Sequence, residues 1–284
     1  MSWQLLVGSS VLIYSINSLF HRALMKEEDS DPFAQTVAFY SIVGLFALVT
    51  AFLRGGFQYQ IATSQLPYFG LMTLFAAITS VLAFKALKSI EASEYVILFS
   101  SSRMWVVAGA FVFLQENFST GKVIGTLVIL FGIALAEWKK QRIVLNQGAL
   151  LALAGAFCFA ATELVSFFIL RQFDANSFTV YSYLLPVVAL LVIHPKTMKR
   201  LSFYLRPKNA VNLTAVSIGD LVATLCLFYA YQLGRNAAQI GPIMASQTIL
   251  SVLLAILFLK ERRYIFNKVV GAMVVVAGII LVLY

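Results

Sequence analysis

Apolar runs of about twenty residues recur from one end of the chain to the other, separated by short polar stretches. That length lets a helix cross the roughly 30 Å of hydrocarbon in a bilayer. A helix satisfies its own backbone there, so each run is read as a membrane helix. Ten are expected: Trp3 to Leu24, Ala34 to Leu53, Leu66 to Leu87, Ser93 to Leu114, Thr120 to Trp138, Gly148 to Leu170, Ser177 to Ile193, Asn209 to Leu233, Ala238 to Leu259 and Phe266 to Tyr284. No connection is longer than about fifteen residues, which leaves no room for a soluble catalytic or nucleotide-binding domain. The expected fold class is therefore an all-α integral membrane protein, with its chemistry inside the helices.

The pattern repeats. Phe113-Leu114-Gln115-Glu116 matches Phe258-Leu259-Lys260-Glu261 at an offset of 145, and Ala92, Ser101 and Ala110 match Ala237, Ser246 and Ala255 at the same offset. After a slip of one residue, Lys122, Val123, Gly125, Val128, Gly132, Ile133 and Leu135 match Lys268, Val269, Gly271, Val274, Gly278, Ile279 and Leu281. Asp31, Thr36, Val37 and Tyr40 match Asp174, Thr179, Val180 and Tyr183 at an offset of 143. Residues 1–142 and 143–284 thus read as two five-helix repeats. Five is odd, so the second copy enters the membrane from the opposite side and the repeat is inverted.

Loop charge gives a second test. The connections after the odd-numbered runs carry sixteen Lys and Arg, including Lys139, Lys140, Arg142, Lys196, Lys199, Arg200, Arg206 and Lys208. The opposite side carries four, Arg54, Lys122, Arg171 and Arg235, and Arg103 inside the fourth run completes the twenty-one. The positive-inside bias places the sixteen-charge side in the cytoplasm and both termini outside.

Composition agrees with a bilayer setting. Hydrophobic residues make up 61% of the 284 residues and charged ones 12%, about half the charged share of a soluble domain. A net charge of +9 would suggest nucleic acid in a soluble protein; here the basic residues sit in short loops, where topology explains them and no nucleic-acid partner is expected. The first run has no basic lead and no small-residue cleavage site before His21 and Arg22, so it reads as a retained helix rather than a signal peptide. Cys158 and Cys226 lie within apolar runs, which indicates packing residues rather than a disulfide or zinc framework. No cofactor and no metal are expected.

The segment Ser89 to Trp138, with its Phe-Leu-x-Glu ending followed by a glycine-spaced helix, and its counterpart Gly234 to Tyr284, resemble the EamA family of the drug/metabolite transporter superfamily. The resemblance covers nearly the whole chain. It implies uptake or export of small metabolites through a central cavity by alternating access of two repeats, with no single substrate: members handle amino acids, sugars and nucleotide conjugates. Two features depart from the pattern. Phe99-Ser100-Ser101-Ser102-Arg103 stands where many members have a Thr-Pro pair, and the loop charges argue for external termini where members are commonly read with cytoplasmic ones.

Arg103 lies about ten residues from either end of its run, close to the bilayer midplane at 1.5 Å of rise per residue. A charge there is costly and normally faces a cavity or a partner. Asp220, near the middle of the eighth run, and Glu163, some four residues past the middle of the sixth, are its candidate partners. Two readings stand. Either carboxylate permanently neutralises Arg103 and holds the repeats together, or the guanidinium fork grips a carboxylate or phosphate of the substrate while Glu163 or Asp220 binds a coupling proton. Both hold if substrate displaces an internal partner.

Tyr14, Asn17, Tyr40, Tyr183, Tyr229, Gln247 and Thr248 fall at similar depth and are candidate cavity residues. A membrane tyrosine is more often packing or an interfacial anchor, whereas an amide such as Gln247 demands partners in hydrocarbon. Gly121-x-x-x-Gly125 and the seven-residue spacings Gly125 to Gly132 and Gly271 to Gly278 give two smooth helix faces. These suit the seam between repeats or a homodimer contact, so monomer and homodimer both stay open. Glu116 and Glu261 are expected to pair with nearby basic residues, and His21 to be interfacial.

The leading function is secondary transport of a small-molecule substrate, with a lean toward zwitterionic or anionic solutes such as amino acids. The expected location is the plasma membrane, as in a bacterial inner membrane. No Gly-x-x-x-x-Gly-Lys loop signals an ATP-driven pump. A membrane enzyme is disfavoured because His21 and His194 are the only histidines and both lie near run ends. The alternative is a non-transporting scaffold or assembly subunit.

Overall fold

A computed structural model describes residues 2–25, 31–90, 92–117, 119–137, 146–204, 206–234, 236–259 and 265–283. Lys139, Lys140, Arg142, Lys260, Glu261, Arg262 and Arg263 lie outside the described residues, as do the side chains of His21 and Arg22. The described residues form helices and no strand: α1 (Trp3–Met25), α2 (Pro32–Leu53), α3 (Leu66–Ser89), α4 (Ala92–Ser100), α5 (Ser102–Phe113), α6 (Thr120–Glu137), α7 (Gln147–Leu170), α8 (Ala175–Ile193), α9 (Pro207–Gly234), α10 (Ala237–Leu259) and α11 (Ile265–Leu283), with a 3-10 helix at Pro195–Phe203.

Nine of the ten apolar runs each become one helix, with ends shifted by at most a few residues. The fourth does not. It is interrupted at Ser101, separating α4 from α5. Ser100 Oγ donates to the Ile97 carbonyl at 2.7 Å, and Ser101 N reaches Leu98 O while Met104 N reaches Ser101 O, at 3.2 and 3.0 Å. Side-chain competition for backbone acceptors and three-residue bonds tighten the turn there, which is what a run of serines does inside a helix.

Six described helices are long and apolar enough to cross a bilayer: Phe33–Leu53, Leu66–Ala83, Gln147–Leu170, Ala175–Ile193, Asn209–Gly234 and Phe266–Leu283. Their outward faces carry apolar stripes at helical spacing, such as Leu45, Val49 and Phe52 on α2, Val188 and Val192 on α8, and Val269, Met273, Val276 and Ile280 on α11. Exposed stripes of that extent need hydrocarbon around them.

The chain forms two compact units. The first comprises Met1–Ala77 and Phe167–Gly234, the second Ile78–Ser166 and Arg235–Tyr284. In the first unit α1 packs along α9, and α2 packs on α8 and α9. Phe39, Val43, Ala47 and Ala51 fall four residues apart on α2 and bury one stripe against Val180, Leu213 and Val216. Asp31 and Asp174, a matched pair in the sequence repeat, do the same work: Asp31 Oδ1 accepts from Ala34 N at 2.9 Å and Asp174 Oδ2 from Ser177 N at 2.8 Å, capping α2 and α8. Arg200 pairs with the same Asp31 carboxylate.

In the second unit the most extensive contact is between α6 and α11. Gly125 and Gly132 of α6 meet Gly278 and Gly271 of α11, and a Cβ added at Gly125 would lie 2.7 Å from Gly278 O. Only glycine allows that backbone approach. Gly125, Gly132, Gly271 and Gly278 therefore pack against one another within the chain, around Ile129, Ile133 and Val275.

Candidate functional site

In the second unit, Arg103 occupies the first turn of α5, immediately after the interruption at Ser101. Its Nη1 donates to Glu163 Oε2 on α7 at 2.7 Å, with the two side chains 15% and 11% exposed. The guanidinium also lies over the Phe159 ring, one turn earlier on α7, at 5.3 Å, and Phe159 in turn meets Phe99 near the end of α4. Gly109 of α5 receives Leu164, while Gly241 of α10 receives Val106 and lies beside Glu163 Oε1. Four helices thus converge on one ion pair. Removing a charge this deeply placed from water is unfavourable, and a hydrogen-bonded opposite charge with an aromatic face beneath it offsets that cost.

Ser101 Oγ is buried with no hydrogen-bond partner among the described residues. Gln247 and Thr248 are partly buried on α10, six and seven residues beyond Gly241 and therefore about 9–10 Å further along that helix.

Asp220 has a different setting in the first unit. It is 7% exposed on α9 and accepts a hydrogen bond from Tyr183 Oη of α8 at 2.5 Å. Tyr183 Oη also meets Thr224 Oγ1 at 2.7 Å, and Thr224 meets Tyr14 Oη of α1 at 2.5 Å. Each hydroxyl has one proton to give. With Tyr183 donating to Asp220, Thr224 can donate to Tyr183 and Tyr14 to Thr224, so a chain can run toward the carboxylate, and the Thr224 hydroxyl also lies within reach of Asp220 itself. Tyr40 of α2 closes the cluster edge-on to Tyr183, with ring centroids 5.1 Å apart.

Of the two candidate partners of Arg103, then, Glu163 takes the role, and Asp220 is held by hydroxyls instead. Asn17 is 6% exposed and donates through Nδ2 to Val216 O at 3.0 Å. A Cβ at Gly219 would come within 2.6 Å of its Oδ1, so Asn17 ties α1 to α9. Tyr229 Oη donates to Asn176 Oδ1 at 3.0 Å, at the start of α8. The sequence reading omitted Thr224, although it sits four residues after Asp220 and hence on the same helix face.

Glu116 has a second kind of partner. Its carboxylate accepts from Ala237 N at 2.6 Å and Ala238 N at 3.0 Å, capping α10, and among the described residues no base pairs with it. Free amides and the positive end of the dipole favour a carboxylate there. Lys122 in the same corner donates to Asn236 Oδ1 at 3.2 Å. Glu261, the matching residue, lies outside the described residues. No cluster of three His, Cys, Asp or Glu side chains suited to a metal occurs among the described residues.

Stacked apolar helices with outward lipid-compatible faces define a multi-pass α-helical membrane protein. The EamA-like transporter family matches residues 1–138 and 146–284 separately, and the chain belongs to that family, within the drug/metabolite transporter superfamily. It is a family of transporters rather than enzymes. A crystal structure of a protein 17% identical in sequence superposes with a TM-score of 0.80 over 98% of this chain and 95% of its own length, and so shares the fold. No curated protein matches the chain.

Proposed function

We propose that this protein is a secondary transporter of small metabolites, built from ten membrane-crossing helices in two inverted five-helix repeats and working by alternating access in a plasma membrane. The termini face outward and the sixteen-charge side faces the cytoplasm. Its substrates are zwitterionic or anionic, in the manner of amino acids. The observation that carries the reading is the Arg103–Glu163 pair at 2.7 Å, set where α4 gives way to α5 in a member of a transporter family. Transporters commonly place their substrate groups at interrupted helices. A substrate carboxylate or phosphate fits the guanidinium fork as Glu163 does, so it exchanges with Glu163 as Arg103's partner. Gln247, Thr248, Tyr14, Tyr229 and Asn17 complete the candidate set. Among them Asn17, Tyr14 and Tyr229 also hold helix partners.

The test is thermal unfolding of purified protein across a panel of amino acids, organic acids, phosphate esters and sugars. A ligand at a hundred times its dissociation constant stabilises the folded state by about 2.7 kcal/mol. The expected result is a rise confined to one anionic or zwitterionic class and absent in Arg103→Ala/Glu163→Gln, a pair of changes that removes both charges of the ion pair. No rise with any class would favour a scaffold without transport activity.

A further inference from the structure

Asp220 and Glu163, two acids held largely away from water among the described residues, are not equivalent. Glu163 is neutralised by Arg103. Asp220 makes no ion pair among the described residues, and among the described side chains the elements packed on α9, namely α1, α2 and α8, turn Tyr14, Tyr40 and Tyr183 toward it. An isolated carboxylate in hydrocarbon requires a compensating positive charge, carried by a proton, a metal cation or an ammonium group. The oxygens around Asp220 stand 2.5 to 2.7 Å apart, the separation of oxygens sharing a proton. A metal ion bound among them would hold them further apart, because each oxygen would sit more than 2 Å from the ion.

We infer that Asp220 is a proton-binding site, loaded through the hydroxyl chain Tyr14–Thr224–Tyr183, and that it is the coupling site of the transporter proposed above, on which this inference rests. Loading balances simply. Tyr14 Oη takes a proton from a hydronium ion, releasing water, as its own passes to Thr224; Thr224 passes its proton to Tyr183, and Tyr183 passes its proton to Asp220 Oδ2. Three neutral hydroxyls are regenerated with their O–H bonds reoriented, and the carboxylate becomes a neutral acid. Because the chain joins α1, α8 and α9, gain or loss of that proton reverses the donors and acceptors linking three helices of one unit. Proton occupancy is thereby linked to their packing.

Infrared difference spectroscopy on the full-length protein in lipid, between acidic and alkaline buffer, reads this directly. The expected result is a protonated-carboxyl stretch that disappears as pH rises, is missing in Asp220→Asn and persists in Glu163→Gln. In Tyr183→Phe the band remains but moves to higher wavenumber, since the carboxyl has lost a hydrogen-bond partner; this variant also serves if Asp220→Asn fails to fold. A band absent at every pH would mean that Asp220 stays ionised beside another cation, and a band abolished by Glu163→Gln instead would assign the proton to the other acid; either overturns the proposal. Neither outcome depends on substrate, so the proton site and the transport reading fail by separate observations.

Discussion

Among the described residues, Glu163 and Asp220 both sit between apolar helices, and what surrounds them differs in kind. Glu163 faces a guanidinium, with an aromatic ring beneath that guanidinium. Asp220 faces a row of hydroxyls. A charged partner fixes a carboxylate in its ionised state, whereas hydroxyls serve either state, since each can turn from donor to acceptor. The first arrangement suits a group exchanged for another anion. The second suits a group that changes its own charge.

The largest effect expected is from breaking the charged pair on one side only. Arg103→Ala leaves Glu163 buried without its cation and should cost about 3–5 kcal/mol of stability; Arg103→Ala/Glu163→Gln should recover most of it in the same unfolding measurement. If the double variant is no better than the single one, the two charges do not compensate each other. Asp220→Asn should cost far less, about 1 kcal/mol, because an amide still accepts from Tyr183. A loss as large as that of Arg103→Ala would mean that Asp220 has a cationic partner of its own. Tyr183→Phe removes one hydroxyl and should cost about 0.5–1.5 kcal/mol. Smallest of all is Arg200→Ala. Arg200 is 67% exposed in its pairing with Asp31, and such surface pairs contribute about 0–1 kcal/mol.

Helix positions were largely legible from the sequence because twenty-residue apolar runs have few other solutions. The break at Ser101 was not, since the fourth run stays apolar through it; three consecutive serines were the available signal. Arg103 and its two candidate acids stood out because charge is rare in such runs, but the choice between Glu163 and Asp220 needed three dimensions. Depth alone grouped Tyr14, Tyr40 and Tyr183 with the cavity candidates. Their convergence on Asp220 joins positions more than 200 residues apart, which periodicity within single helices does not encode. The role of Glu116 was obscured for the same reason: the helix it caps begins 121 residues later.

Counterflow in proteoliposomes tests the central claim most directly. Vesicles preloaded with unlabelled amino acids are diluted into tracer amounts of the labelled mixture, with wild-type protein compared against Arg103→Ala/Glu163→Gln. Wild type should give a transient accumulation of label and the double variant none above empty vesicles, while both proteins remain folded. Equal accumulation by the two would remove Arg103 from the substrate site, and absence of accumulation by folded wild type with amino acids, organic acids and phosphate esters alike would contradict transport itself.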